Sequence, residues 1–253
     1  MTQTFFPQYP ELSALSEALL NIHPPEILDY PGRFLYSGVS TLRQEGKYYL
    51  LGHNPGVNLK DYENPAGDTP PNLGGKPKKK YHSLRKDIIK TTERRDDYSA
   101  YIDEDDWNPP SKMQPGVRAL GKAIDIDPRK MCASNLFFER STEKKYIKWR
   151  DPKIYWPVHE EVLKLVNPDC IFFMGAKGLE SLIGLLNSSS KGSSDFVLKE
   201  SKESGHDNWM CHFAEGHYME KTLKVINFPD LSRYSLSSNP AVQKWIVEKL
   251  RGK

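Results

Sequence analysis

Short apolar runs alternate along this chain with segments of helical periodicity, and this alternation limits the folds that the chain can adopt. The clearest run, Cys170–Met174, ends at Gly175 and passes into a helical pattern that continues to Leu186. Two further runs, Lys47–Gly52 and Lys130–Phe138, have the length of strands. Because strands that alternate with helices form parallel sheets between helical layers, we expect an α/β fold: a three-layer α/β/α sandwich with a mainly parallel central sheet of about four strands.

The remaining elements follow from periodicity and from the positions of glycine and proline. A lead-in helix begins after Pro10, and two strands, Asn208–Phe213 and Thr222–Phe228, are expected to form a hairpin that turns around Glu215-Gly216. The other predicted helices are Tyr81–Thr92, Gly116–Ile124, Pro157–Val166, Ala176–Leu186 and Pro240–Leu250. A chain of 253 residues is long enough for one substantial core, so we expect a single domain over residues 1–253.

Composition excludes several classes of protein. With 38% hydrophobic and 27% charged residues and no apolar run near the roughly 18–20 residues of a spanning helix, the chain is typical of a soluble protein without a membrane partner. The N-terminus lacks the basic start and apolar centre of a signal peptide, which predicts a cytoplasmic location. No Cys-x-x-Cys pair is present, and the spacing of His206, His212 and His217 fits no common zinc pattern, so we expect no metal and no cofactor. The three cysteines, expected to be reduced and buried, are Cys132, Cys170 and Cys211.

Ligand chemistry in parallel sheets collects in the loops beyond the carboxyl ends of the strands. Directly after the predicted strand that ends at Gly52 stand His53, Asn54, Pro55 and Gly56. Asn54 offers an amide that both donates and accepts hydrogen bonds, and Gly56 lets a ligand approach the backbone. By itself such a segment is more often just an ordinary turn.

A second loop of interest follows the last predicted strand of the hairpin. It places Leu231 beside Ser232 and Arg233 in an otherwise polar segment. An exposed leucine flanked by small polar and cationic groups suits a wedge that enters a base stack while its neighbours contact phosphates. The alternative is a leucine that packs back on the core.

Taken together, the two loops resemble the two motifs of the uracil-DNA glycosylase superfamily. Leu51-Gly-His-Asn-Pro-Gly56 is similar to the first motif of its mismatch-specific uracil/thymine branch, Gly-x-Asn-Pro-Gly, and Phe228-Pro-Asp-Leu-Ser-Arg233 to the second, Asn-Pro-Ser-Gly-Leu-Ser-Arg. The resemblance runs from about Lys47 to Leu250, with a charged insertion at about 60–115. Two departures are His53 in place of an apolar residue and Asp230 in place of a serine, in a second motif that is one residue shorter.

The resemblance implies a monofunctional DNA glycosylase that hydrolyses the N-glycosidic bond of a flipped pyrimidine: uracil, mismatched thymine or a 5-modified cytosine. Asn54 would position the attacking water, and His53 either stabilises the base anion or is only a loop residue. Asn135 would read the pyrimidine edge, or else it closes a turn. Gly56 replaces the tyrosine that blocks C5 substituents in the uracil-specific branch, and Leu231 would be the wedge. The further substrate-binding candidates are Gly52, Pro55 and a stacking aromatic, Tyr62 or Tyr81.

The expected partner is double-stranded DNA, bound by a monomer. Nine basic residues lie between Lys76 and Arg95 against two acidic ones, which suits phosphate contact by a run that includes Lys78, Lys79 and Lys80. A solvated surface of mixed charge is the other interpretation, because an acidic block follows. Two further functions stay open: a non-catalytic module that binds modified or damaged DNA, and a hydrolase of free nucleosides or nucleotides, in which an exposed Leu231 would have no purpose.

Overall fold

The computed structural model describes residues 10–43, 48–55, 82–104, 113–141, 151–175, 178–189 and 195–252. The helices in this part of the chain are α1 (Pro10–Leu20), α2 (Leu84–Glu93), α3 (Ala100–Asp103), α4 (Met113–Ile124), α5 (Trp156–Val166), α6 (Leu179–Ser188) and α7 (Pro240–Leu250). The strands are β1 (Tyr48–Gly52), β2 (Cys132–Asn135), β3 (Cys170–Met174), β4 (Val197–Glu203), β5 (Met210–Tyr218) and β6 (Lys221–Phe228).

The strands form one mixed sheet in the order β2-β1-β3-β6-β5-β4. The first four are mutually parallel, and β5 and β4 extend the sheet in antiparallel fashion. The predicted α/β class with a mainly parallel sheet is confirmed, whereas the count of about four strands is wrong, since the sheet has six. The prediction missed β4 because its sequence, Val-Leu-Lys-Glu-Ser-Lys-Glu, is mostly exposed at the sheet edge and has no core-facing alternation.

The predicted hairpin turn is also wrong. Glu215 and Gly216 lie inside β5, opposite Lys224 and Leu223, and the chain turns at Met219-Glu220. Gly216 is needed for packing, because a Cβ atom there would lie 2.6 Å from Cγ of Phe196. Gly216 is therefore present because the chain at Phe196 packs closely against β5. In the sequence, a glycine needed for close packing cannot be distinguished from a glycine needed for a turn.

Buried side chains form an apolar core on each face of the sheet. Alternate residues of β1 divide between them: Tyr49 and Leu51 join the cluster with α1, α5 and α6, and Leu50 joins the cluster with α4 and α7. All three cysteines are free and buried, as predicted. Within the described ranges, no helix has both the length and the apolar character needed to cross a membrane.

Candidate functional site

The loop after β1 is fixed by the chain that leaves β2. In the register of these parallel strands Gly52 lies opposite Asn135, so both strands end at the same edge of the sheet. The predicted strand Lys130–Phe138 is shorter than expected because the chain bends after Asn135 and pairs with this loop. Its backbone N–H groups donate to three loop carbonyls: Leu136 to Gly52, Phe137 to His53 and Ser141 to Pro55, over 2.9, 2.9 and 3.0 Å.

Gly52 leaves the space that the side chain of Asn135 occupies. A Cβ atom at Gly52 would lie 2.0 Å from Oδ1 of Asn135. Asn135 is only 6% exposed, and its amide makes no hydrogen bond to any residue that the structure describes. Because buried amides in folded proteins are almost always hydrogen-bonded, this side chain is suited to a ligand at the sheet edge.

Asn54 is half-buried, and its side-chain nitrogen is held by the main chain. Nδ2 donates to the carbonyl oxygens of Pro55 at 3.1 Å and Ser141 at 3.4 Å. Oδ1 lies 3.2 Å from Nδ1 of His53, whose ring stacks at a tilt on Phe137 with the ring centroids 5.0 Å apart. The amide is thus oriented with its acceptor oxygen toward His53, an arrangement that also stabilises the loop itself.

Hydrogen bonds to Asp230 stabilise the conformation of the loop after β6. The Asp230 carboxylate accepts the backbone N–H of Ser232 at 2.9 Å, and its carbonyl accepts those of Arg233 and Tyr234 at 3.0 and 2.9 Å. This is an Asx-type turn, in which the side chain and the carbonyl of Asp230 both hold the loop. Ser232 is half-buried and Arg233 is exposed, so Arg233 remains available to a ligand.

The expectation that Leu231 is exposed is wrong. Its side chain is fully buried in the core against α4, where a Cβ atom added to Gly116 would lie 3.1 Å from two Leu231 carbons and 3.2 Å from a third. The missing side chain of Gly116 provides the space for Leu231, a relation between residues far apart in the sequence. A buried leucine cannot enter a base stack without movement of the loop, so the structure supports the alternative of core packing.

The two motif loops lie at the same edge of the sheet because β1, β3 and β6 are parallel. One strand, β3, separates β1 from β6, which at about 4.8 Å per strand puts the loops roughly 10 Å apart. Asn227 joins the ends of β3 and β6: its Nδ2 donates to the carbonyls of Phe173 at 3.0 Å and Gly175 at 3.2 Å. Its buried Oδ1 has no hydrogen-bond partner among the described residues, and sequence reasoning did not select this side chain.

Several predicted residues lie outside the described part of the chain. They are Gly56, Tyr62, Tyr81, Lys78, Lys79 and Lys80. The missing C5 gate, the stacking aromatic and the lysine contacts therefore stay predictions.

The described part of the basic run is partly neutralised. Arg94 pairs with Asp87 at 2.7 Å, and Arg95 pairs with Asp97 at 3.4 Å and Asp103 at 3.0 Å. The acidic block therefore shares a face with part of the basic run.

Two of the three clustered histidines contact polar side chains: His217 contacts Asp195 and His212 contacts Ser201, both at 2.8 Å.

Comparison of the chain with protein-family models and with curated proteins found no match.

Proposed function

We propose that this protein is a monofunctional DNA glycosylase that hydrolyses the N-glycosidic bond of a flipped pyrimidine. The observation that carries the proposal is the pair of amide side chains, Asn54 and Asn135, at the carboxyl ends of adjacent parallel strands. Gly52 makes the room in which the amide of Asn135 lies. The two motif loops lie at the same edge of the sheet, which is where open α/β sheets bind their ligands.

The reaction passes through an oxocarbenium-like sugar and a departing base anion, and the proposed roles follow from this charge development. Asn135 offers a donor and an acceptor to the edge of the pyrimidine. Asn54, whose Nδ2 is held by two carbonyls and whose Oδ1 contacts Nδ1 of His53, has a second lone pair on Oδ1 that can accept the hydrogen of a water. An amide does not titrate, so it orients this water without acting as a general base, and we expect a slow enzyme.

A second candidate is an N-glycoside hydrolase that acts on free nucleosides or nucleotides. The burial of Leu231 favours it, because such an enzyme needs no wedge to replace an extruded base. The same two amides would serve either substrate. Binding of modified DNA without cleavage is the remaining alternative.

One experiment separates these functions. Labelled duplexes that carry uracil, thymine opposite guanine or a 5-modified cytosine are incubated with the protein and then treated with alkali, which breaks the strand at abasic sites. In parallel, release of free base from pyrimidine nucleosides and nucleotides is followed by chromatography. Strand breakage supports the glycosylase, base release from monomers alone supports the second candidate, and retention of a duplex without breakage supports the binding module.

Asn54→Ala is expected to lower the single-turnover rate of base release by about tenfold to a hundredfold, or roughly 1.4–2.7 kcal/mol of transition-state stabilisation. DNA binding should stay nearly intact, because the amide orients water and contacts no phosphate. Rapid-quench measurement at saturating enzyme gives the rate, and a filter-binding titration gives the affinity. Asn21→Ala, at an exposed turn after α1, is the matched control and should keep the wild-type rate. Equal rates for wild type and Asn54→Ala would remove Asn54 from the mechanism.

A further inference from the structure

The antiparallel extension of the sheet places one of its turns at the edge that carries the candidate site. Strand β6 runs parallel to β1 and β3, so it ends at the edge where the two motif loops lie. Strand β5 pairs with β6 in antiparallel fashion and therefore begins at that same edge. The chain between β4 and β5, residues 204–209, is called the β4–β5 turn below. This turn lies beside the loop that follows β6.

Hydrogen bonds hold the β4–β5 turn against the chain that follows β6. The carbonyl oxygen of Ser204 accepts from Oη of Tyr234 at 2.9 Å and from Nδ2 of Asn239. Within the turn, the backbone N–H of Ser204 donates to the carbonyl of Trp209 at 2.9 Å, and the N–H of Trp209 donates to the carbonyl of His206 at 3.1 Å. The conformation of the turn is therefore fixed before a ligand binds, which lowers the entropic cost of binding.

Two aromatic rings lie at the β4–β5 turn. The rings of His206 and Trp209 are in edge-to-face contact with their centroids 4.8 Å apart, and the ring of Tyr234 lies 6.4 Å from that of His206. His206 is exposed, whereas Trp209 is half-buried and packs against the core cluster with α4 and α7. Arg233 is exposed next to Tyr234 and forms no ion pair with any described residue. Aromatic rings beside a cation bind single-stranded nucleic acid through base stacking and phosphate contact.

In the residues that the structure describes, the two motif loops expose no apolar side chain. Leu231 and Pro55 are both buried. A protein that extrudes a base from a duplex inserts a side chain into the base stack, whereas a single strand leaves no gap between base pairs to fill. A base that is already unpaired also costs less to move into a pocket. The candidate site is therefore better suited to a single strand than to a duplex.

We propose that this protein prefers single-stranded DNA, and that Trp209 and His206 stack on an unpaired base of the strand whose target pyrimidine lies in the candidate site. The inference rests on the proposed function, since it names the substrate class of that site. Arg233, beside the turn, contacts a phosphate of the same strand. Stacking on an aromatic ring is possible for every base, so this contact binds the strand without selecting its sequence.

The distance between this contact and the target base follows from the order of the strands. Strand β5 lies three strand spacings from β1, so the β4–β5 turn lies roughly 14 Å from the loop that contains Asn54, at about 4.8 Å per strand. Stacked nucleotides follow one another at about 3.4 Å along a strand, and the base on Trp209 is therefore expected about four nucleotides from the target.

Binding is measured by fluorescence anisotropy with a labelled single strand that carries one uracil, and with the same strand paired to its complement. Wild type should bind the single strand more tightly than the duplex. Trp209→Ala should weaken binding of the single strand by about tenfold or more, because the loss of one base–aromatic stack has an effect of that size. Trp209→Phe, which keeps a ring, should retain most of the affinity. Neither variant should change the affinity for the duplex.

Three further variants separate stacking from damage to the fold. His206→Ala alters an exposed ring and leaves the core packing of Trp209 in place, and it should also weaken binding of the single strand. Asp207→Asn should tighten binding, because the exposed carboxylate of Asp207, 3.7 Å from Nε2 of His206, repels phosphates. Met219→Ala is the matched control, since it removes an exposed side chain from the β5–β6 turn at the opposite edge of the sheet.

A second measurement locates the stacked base. A series of single strands carries a stable abasic unit at one position at a time on either side of the uracil. Wild type should lose most affinity when the abasic unit lies about three to five nucleotides from the uracil on one side. Trp209→Ala should bind all strands of the series with similar affinity.

The outcomes for the inference and for the proposed function are distinct. Equal affinity of wild type for single strand and duplex, or wild-type affinity for the single strand in both Trp209→Ala and His206→Ala, overturns the inference. A wild-type profile that does not depend on the position of the abasic unit overturns it as well. If the turn variants weaken binding of the single strand while wild type releases no base from any substrate, the single-strand surface stands and the proposed catalytic function fails.

Discussion

Gly52→Ala is expected to lower kcat/KM for the proposed base release by about a hundredfold or more while the protein stays folded. The added Cβ would lie 2.0 Å from Oδ1 of Asn135, so the amide must leave its position over the glycine. That oxygen is the end of a movable side chain, and rotation of Asn135 relieves the contact without displacing the backbone of β1 or β2. Loss of one preorganised polar group that faces a developing anion costs about 10²–10³-fold in other enzymes. Steady-state kinetics on a uracil-containing duplex measure the effect.

A double-mutant cycle shows whether Gly52→Ala acts through Asn135. Asn135→Ala removes the amide directly, so the variant with both substitutions should be no slower than Asn135→Ala alone. Urea unfolding should place Gly52→Ala within about 1 kcal/mol of wild type, because strand pairing at this position is kept. Additive losses in the double variant, or a large fall in the urea midpoint, would show that the substitution damages the sheet edge itself. Gly184→Ala, on α6 with no atom within 4 Å of its added Cβ, is the matched control.

The sequence predicted those parts of the fold that depend on local pattern. Apolar runs and helical periodicity identify β1, β3 and α7, the last with the bounds that the structure has. The position of Asn54 just after β1 follows from the same pattern, whereas the predicted run Lys130–Phe138 extends past Asn135 and did not locate the end of β2. That Asn54 and Asn135 lie at one edge of the sheet follows from the register of β1 and β2 in the structure.

The features that sequence reasoning missed depend on contacts between distant segments. Leu231 is buried because Gly116 of α4 leaves space for it, and neither residue by itself indicates the contact. The ion pair between Arg33 and Glu104 joins residues 71 positions apart. Strand β4 was missed for another reason: its charged, exposed edge lacks the apolar pattern by which strands are recognised.

The largest expected effect on stability comes from His159, a fully buried histidine that connects the core to the end of β2. Its Nδ1 lies 2.9 Å from the hydroxyl of Tyr49, and its Nε2 lies 3.2 Å from the carbonyl oxygen of Leu136, the residue after Asn135. A carbonyl can only accept, so Nε2 carries the hydrogen and Nδ1 accepts from Tyr49 in the neutral ring. Burial lowers the pKa of His159 from 6.5 to about 4, a fall that the hydrogen bond to Leu136 opposes in part.

This lowered pKa makes stability fall in mild acid. Between pH 6.5 and 4 the unfolded chain binds a proton at this histidine and the folded protein does not, so protonation favours unfolding. The stability contributed by the neutral histidine is fully present above pH 6.5. As the pH falls from 6.5 toward 4, the free energy of unfolding decreases by about 1.36 kcal/mol per pH unit, for a total loss on the order of 3 kcal/mol. Carboxylates titrate in the same window, and a comparison of variants is needed to separate the histidine from them.

Urea unfolding at several pH values between 7 and 4 therefore compares wild type with His159→Gln and with His206→Gln. Wild type and the control His206→Gln, which alters an exposed histidine, are both expected to lose stability as the pH falls. His159→Gln has no titrating group in the core and should show a shallower slope, although its stability at pH 7 is lower because a buried hydrogen bond is altered. Parallel slopes for all three proteins would show that His159 is not held neutral.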